Sequence, residues 1–317
     1  MPIATAVNGY SLLNNGPLTT TFSAPSACIT DNVVLAPASL TYPIAIAYYA
    51  SCDYTQPASC RPSGRPYEAL VSKLGHDDPQ LNEEVVYYSP GLICPAGWTT
   101  AGMATKDASS SLTMSGALDV TSYLPTATGR FFADPAPAVL VDALDAGETA
   151  VLCCPSSFTA LNGACYSILP TAQYTPTFGC LPFYVSQVES VKMGTYTIEG
   201  QAVTGGLIEI TASGSQPVSS MTTEFSASEA SSYVGVVFQG AMMLVHQASD
   251  VTATGAATGA GATGTGSGAA ATGTGAATTT TTKSSAARSS VRDYSDKTLG
   301  VAAAGCIALV LGSLFVL

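Results

Sequence analysis

The chain has 317 residues, a net charge of −11, only 10% charged side chains and a mean hydropathy of +0.32. Residues 1–250 hold six basic side chains (Arg61, Arg65, Lys73, Lys106, Arg130, Lys192) against nineteen acidic ones. No basic footprint for phosphate neutralisation exists, so nucleic-acid binding is disfavoured, and the acidity reads as solubility. With the tail set aside, about 250 residues remain, enough for one large domain or two small ones with a real core.

Residues 1–30 are polar and rich in turn formers. Asn14-Asn15-Gly16-Pro17 signals a turn and Leu18–Phe22 is β-prone. Val33-Val34-Leu35 and Ile44–Tyr49 are short apolar runs fenced by Pro37 and Pro43, which predicts buried strands. Glu68–Leu74 has room for two helical turns at most, and His76-Asp77-Asp78-Pro79 reads as a turn. Met114–Leu124 and Arg130–Ala133 alternate weakly, and Ala138–Leu144 is apolar enough for either helix or strand.

Nine cysteines are present. Cys306 lies in an apolar C-terminal run, and the other eight are Cys28, Cys52, Cys60, Cys94, Cys153, Cys154, Cys165 and Cys180. An even number within one span predicts four disulfides in an oxidising compartment. Connectivity stays open, except that adjacent Cys153 and Cys154 are expected to take different partners, since a bond between neighbours strains the peptide. Cys94-Pro95-Ala96-Gly97-Trp98-Thr99 is echoed by Cys154-Pro155-Ser156-Ser157-Phe158-Thr159, and more faintly by Cys60-Arg61-Pro62-Ser63-Gly64. Proline after cysteine fixes the backbone, two small residues turn it, and an aromatic covers the sulfur. These copies are too few and too irregular for a solenoid.

Residues 183–248 lack cysteine. Tyr184–Val191, Thr195–Glu199, Leu207–Thr211 and Tyr233–Gln239 are β-branched or aromatic runs, and Ala241–Val245 is read as a continuation of the last one. Residues 251–282 then use only Val, Thr, Ala, Gly and Ser. Such a segment buries too little to offset its ordering entropy, and its Thr and Ser density suits O-glycosylation. No Asn-x-Ser/Thr acceptor occurs.

Leu299–Leu317 is uncharged and, at about 1.5 Å per residue, spans roughly 28 Å as a helix. Small residues Ser284–Ala287, a polar spacer 288–298 and this apolar end are the ingredients of a GPI signal, with Ser285, or Ser284, as attachment residue. The rival is a retained transmembrane anchor. Its Arg288, Arg292 and Lys297 flank would face the cytosol by the positive-inside tendency. Met1–Leu18 shows no basic start and no apolar run of signal length, which pulls against export and leaves a tail anchor facing the cytosol open.

Several phrases resemble a group of uncharacterised filamentous-fungal (ascomycete) surface proteins. They are Gly9–Asn14, Gly16–Phe22, Ser26-Ala27-Cys28, Ser89–Thr99 and the stretch from Cys153-Cys154-Pro155 through Asn162–Ser167. The resemblance covers most of residues 9–183. It implies an extracellular cysteine-containing domain, a Ser/Thr-rich stalk and a C-terminal membrane segment, with no established activity and no catalytic residues. Many members continue past that segment into a cytoplasmic tail, whereas this chain stops at Leu317, which weakens a signalling role.

For catalysis the residues select little. There is no Cys-x-x-Cys, no His-x-x-x-His and no Gly-x-Ser-x-Gly, so no metal site, cofactor or nucleophile elbow is expected. His76 beside Asp77 and Asp78 is the one local hydrolase-like cluster, and it reads more simply as a solvated turn. A glycosidase needs only two carboxylates, but nothing picks a pair. Trp98, Tyr87, Tyr88, Tyr48 and Tyr49 are candidates for stacking on sugars, against a simpler role in packing.

The expected fold is therefore mainly β: a disulfide-braced β-rich ectodomain with long loops, a disordered stalk and one apolar C-terminal helix. Residues 1–182 form its cysteine-containing part and 183–248 a cysteine-free β-rich part packed with it. Residues 249–298 form the stalk and spacer, and 299–317 a transmembrane helix or GPI-signal tail. The expected function is non-enzymatic: a membrane-anchored cell-surface or cell-wall protein serving adhesion, wall architecture or masking. Its partners would be the lipid bilayer and wall glycans, with no nucleic acid. A carbohydrate-active enzyme or glycan-binding module and a wall-stress sensor are the alternatives.

Overall fold

A computed structural model describes residues 2–25, 28, 33–38, 46–52, 60–75, 78–120, 131–161 and 163–251. The fold is mainly β and carries four disulfides. His76, Asp77, Ser284, Ser285 and Leu299–Leu317 lie outside the described residues. Among those described, no helix is long and apolar enough to cross a membrane.

The chain opens with β1 (Ala6–Val7) and β2 (Tyr10–Asn14), joined by Asn8-Gly9 with φ of 48° and 91°. Positive φ at both central residues suits a two-residue hairpin, and Asn-Gly is its strongest local cue. Then come β3 (Val33–Pro37) and β4 (Tyr48–Tyr49). Leu18–Phe22 is not a strand; Leu18 makes a single bridge to Gly91. Helix α1 runs Arg65–Leu74, longer than the two turns expected, because Pro66 sits in its first turn, where its missing N–H costs nothing. A 3₁₀ turn, Pro79–Glu83, leads into β5 (Glu84–Tyr87).

Strand β6 (Trp98–Lys106) follows, then β7 (Leu112–Gly116), β8 (Phe131–Phe132) and α2 (Ala136–Ala143). Apolar except for Asp142, with six of its eight residues buried, α2 is a core helix, which resolves the helix-or-strand ambiguity at Ala138–Leu144. The remaining strands are β9 (Glu148–Pro155), β10 (Thr159–Leu161), β11 (Ala164–Ile168), β12 (Phe178–Tyr184), β13 (Glu189–Ile198), β14 (Gln201–Ile210) and β15 (Val218–Glu224). A short α3 (Ala227–Ala230) precedes β16 (Tyr233–Gly240) and β17 (Met242–Gln247). Ala241–Val245 does not continue β16. The chain breaks at Ala241 and β17 joins another sheet.

Four sheets result, ordered β1-β2-β5, β10-β11-β16-β3-β4-β12-β15, β13-β14-β8 and β17-β9-β6-β7. Strand β16 lies between β11 and β3, and β17 beside β9, so strands from before and after residue 182 share sheets. The largest core cluster packs α2 (Val139, Leu140, Val141) against Tyr10 and Val85 of the small sheet and Ala104, Ala150, Leu152 and Val245 of the four-stranded one. A second cluster, around Val34, Tyr49, Tyr166 and Val236, lines one face of the seven-stranded sheet. A third, with Phe132, Ala138, Ile198 and Leu207, seats the β13–β14 hairpin.

Candidate functional site

The eight cysteines pair as Cys28–Cys60, Cys52–Cys180, Cys94–Cys153 and Cys154–Cys165, so neighbouring Cys153 and Cys154 do take different partners. The Cys-Pro echo proves to be one turn built twice. Trp98 donates its N–H to the Pro95 carbonyl and Phe158 its N–H to the Pro155 carbonyl, each at 3.0 Å, with φ of 76° at Gly97 and 77° at Ser157. The two turns also touch, because the Ser156 N–H donates to the Gly97 carbonyl at 2.8 Å and Trp98 pairs with Pro155 where β6 meets β9. Trp98 packs in the cluster holding Cys94 and Cys153, and Phe158 in the one holding Cys154 and Cys165. The faint third copy does not repeat this turn: its Gly64 is the residue that starts α1.

Of the candidate sugar-stacking rings, Tyr49, Tyr87 and Tyr88 are buried, and Trp98 is half-buried against its disulfide. Tyr48 alone belongs to a half-exposed aromatic group on an outer sheet face. Its ring meets Phe225 at 5.4 Å and Tyr233 at 5.6 Å, both edge-on, and Phe225 lies 5.0 Å from Tyr233. Two glycines make room for these rings. A Cβ on Gly179 would stand 2.8 Å from the Tyr48 ring, and one on Gly235 would stand 2.5 Å from the ring of Tyr174. Leu35 pairs with both Gly235 and Tyr48, which puts the four rings on the same face. The sequence reading missed Tyr174, Phe225 and Tyr233. The available signal was a glycine inside each of two β-prone runs, which marks close approach of another group.

The chemically most unusual place is a cluster of buried carboxyls beneath the β13–β14 hairpin. Its Glu199-Gly200 turn has φ of 49° and 76°, again the left-handed pair of a two-residue hairpin, and it tips Glu199 inward. Glu199 Oε2 accepts the Val120 N–H at 3.1 Å, while its own N–H donates to both oxygens of Asp142 on α2 at 3.0 Å. Asp134 Oδ2 accepts from Asn8 Nδ2 at 2.7 Å, and the same Asn8 amide reaches the Thr197 carbonyl at 3.3 Å. Asp134 is 2% and Glu199 6% exposed, and Glu199 Oε1 and Asp134 Oδ1 have no hydrogen-bond partner. Burial, with Asp119, Asp142 and Asp134 nearby, pushes the Glu199 carboxyl up to about 7. Burial pushes Asp134 up to about 6, with the Asn8 bond opposing and Asp142 adding to the rise. Both carboxyls are thus shifted toward neutral pH, the direction in which a general acid is tuned. Among the described residues, however, no three His, Cys, Asp or Glu side chains converge to hold a metal ion.

The other candidates are structural. Asp78 is not solvated: at 1% exposure, its Oδ1 accepts the Gln80 N–H and its Oδ2 the Gly214 N–H, each at 2.9 Å. It caps the 3₁₀ turn and ties down the loop before β15. His246 Nδ1 lies 3.2 Å from the Gly91 carbonyl. A cavity of about 20 Å³ between Arg61, Tyr88, Trp98, Gln239 and Met242 has room for one water and none for a sugar ring. No family model, no curated protein and no solved structure matches the chain.

Proposed function

We propose that this chain is a membrane-anchored cell-surface protein whose disulfide-braced head does structural or adhesive work rather than catalysis. The observation that carries this reading is the bracing. All eight cysteines outside the apolar end are paired, and the bonds close spans from 11 to 128 residues. Such a set is maintained in an oxidising compartment. The resemblance of residues 9–183 to fungal surface proteins points the same way. In this reading 249–298 is a disordered, O-glycosylated stalk. Residues 299–317 are either a GPI signal cut near Ser285 or Ser284, or a retained helix. The bilayer is the one obligatory partner.

Phospholipase C treatment of intact cells carrying an epitope after residue 250 tests the proposal. Release into the medium is the expected result. Retention, with the epitope sheltered from external protease, would place the head in the cytosol and overturn it.

A second reading, glycan binding, is favoured by the half-exposed rings of Tyr48, Tyr174, Phe225 and Tyr233 on one sheet face. Such rings stack on the apolar faces of sugars. Binding to wall glycans on an array, lost in Tyr48→Ala and Tyr233→Ala but kept in Trp98→Phe, would establish it.

A further inference from the structure

Strand β15, Val218-Ser219-Ser220-Met221-Thr222-Thr223-Glu224, ends the seven-stranded sheet. It pairs with β12 along one side only, and six of its seven residues are exposed. Exposed edge strands ordinarily carry a lysine, a proline or a bulge, or are very short, because their free N–H and C=O groups recruit other strands. Two other edges of the molecule follow that rule. The opposite edge of the same sheet, β10, has three residues. Edge strand β13 carries Lys192, and the Tyr196 hydroxyl donates to the Lys192 carbonyl at 2.7 Å. No such device occurs on β15. It is uncharged from Val218 to Thr223 and contains no proline.

The register shows which groups are free. The Val185 N–H donates to the Pro217 carbonyl and the Phe225 N–H to the Thr177 carbonyl. In an antiparallel ladder, hydrogen-bonded and non-hydrogen-bonded pairs alternate. Ser219, Met221 and Thr223 therefore bond to β12, while Val218, Ser220, Thr222 and Glu224 turn their backbone groups outward. This outward set is self-complementary. Laid antiparallel on a second copy about Met221, Ser220 faces Thr222 and Val218 faces Glu224, and every facing pair has both members pointing outward. About eight inter-copy hydrogen bonds result. Met221 meets its own counterpart at a non-hydrogen-bonded position, where side chains come closest, and it is 57% exposed.

We propose that β15 is a homotypic pairing edge, through which two copies of the head join antiparallel about a twofold axis at Met221. The partner is a second copy because pairing about Met221 sets no charges side by side and brings the exposed Met221 side chains of the two copies together. The two Glu224 carboxylates stand at opposite ends of the ladder, six residues or roughly 20 Å apart. That distance exceeds the screening length of about 8 Å at physiological ionic strength. The parallel alternative sets Glu224 beside Glu224. Because each head carries an acidic excess, pairing strengthens with added salt. On a surface where heads are displayed densely, such an edge joins neighbours, but the inference does not depend on how the chain is anchored.

Cysteine cross-linking of the full chain, with Cys306→Ser to remove the tail thiol, tests it. Met221→Cys is expected to give a disulfide-linked dimer under mild oxidation. Thr223→Cys alone should not, whereas Thr223→Cys mixed with Ser219→Cys should, since those positions face each other only in this register. Adding Ser220→Pro removes an outward N–H that β12 does not use, and should cut the Met221→Cys dimer at least about fivefold without unfolding the head. In the otherwise unaltered chain, exchange of the Ser220 and Thr222 amides should slow at least about tenfold as concentration rises. No dimer, equal cross-linking at every position, or concentration-independent exchange at those two amides overturns the proposal.

Discussion

The backbone N–H of Glu199 donates to both carboxylate oxygens of Asp142, each at 3.0 Å. The bond ties the tip of the β13–β14 hairpin to α2 and draws an acidic side chain into a site already holding Asp134 and Asp142, with Lys106 acting on Asp142 as the nearby cation. Hairpin geometry put it there: Gly200 permits the left-handed turn, and the turn points Glu199 down.

This arrangement should favour the folded head in acid over neutral pH. Glu199 and Asp134 have folded-state values of about 7 and about 6, above their ordinary 4.5 and 3.8. A raised carboxyl favours folding while it is protonated in the folded state, and its contribution is lost as pH rises through the folded value. The melting temperature should therefore fall between pH 5 and pH 8, with a loss for the pair on the order of 2 kcal/mol. Glu199→Gln keeps an acceptor for the Val120 N–H and should flatten that fall while raising stability at pH 8. A melting temperature that climbs from pH 5 to pH 8 would contradict this.

The twin turns permit a reciprocal test. Ser157 holds φ of 77° without being glycine, whereas Gly97 holds 76° with nothing within 4 Å of an added Cβ. Ser157→Gly should stabilise the head by up to about 1 kcal/mol, and Gly97→Ser should destabilise it by about 1 kcal/mol. Chemical denaturation of both variants checks the pair. Effects of the same sign would show that the turns are not equivalent.

Removal of the disulfides should rank by span. Cys52–Cys180 closes 128 residues and Cys154–Cys165 closes 11. Chain-entropy reasoning gives the longer bond an advantage of at most about 2 kcal/mol, since the two bonds nested inside it shorten its effective loop. Paired Cys→Ala variants, compared by urea midpoint, measure the difference. A greater loss from the short bond would place the stabilisation in core packing around Cys154 and Cys165, both of which are buried.

Gly235→Ala should cost about 1–3 kcal/mol, because its new methyl group would stand 2.5 Å from the Tyr174 ring. Gly179→Ala should cost a similar amount through Tyr48 and Phe225. If the aromatic face binds glycans, both variants should also weaken that binding, since the rings must shift. Stability is read by thermal melting and ring environment by near-ultraviolet circular dichroism.

What was legible in the chain was local. Runs such as Val33-Val34-Leu35 and Tyr233–Gln239 announced strands because β-branched and aromatic side chains suit a pleated, half-buried surface. The Cys-Pro echo announced a turn because proline and small residues restrict the backbone within four positions. Strand β6 was missed, since Thr99-Thr100-Ala101-Gly102-Met103-Ala104 has no clean alternation, and its place is set by ladders to β7 and β9 on either side. The 3₁₀ cap at Asp78 was also hidden, because one of its partners, Gly214, is 136 residues away.

By itself, then, the sequence determined the mainly β character, the even set of cysteines and the separate partners of Cys153 and Cys154. It also determined the form of the two Cys-Pro turns. Each of these depends on chemistry between near neighbours. The tertiary structure alone decided which cysteine bonds to which, that β16 lies between β11 and β3, that Asp134 and Glu199 are shut away from water, and that β15 is left as an edge. Those outcomes depend on hydrogen-bond ladders and burial between residues far apart in the chain. Periodicity tells a residue which face it occupies, but not which strand will lie beside it.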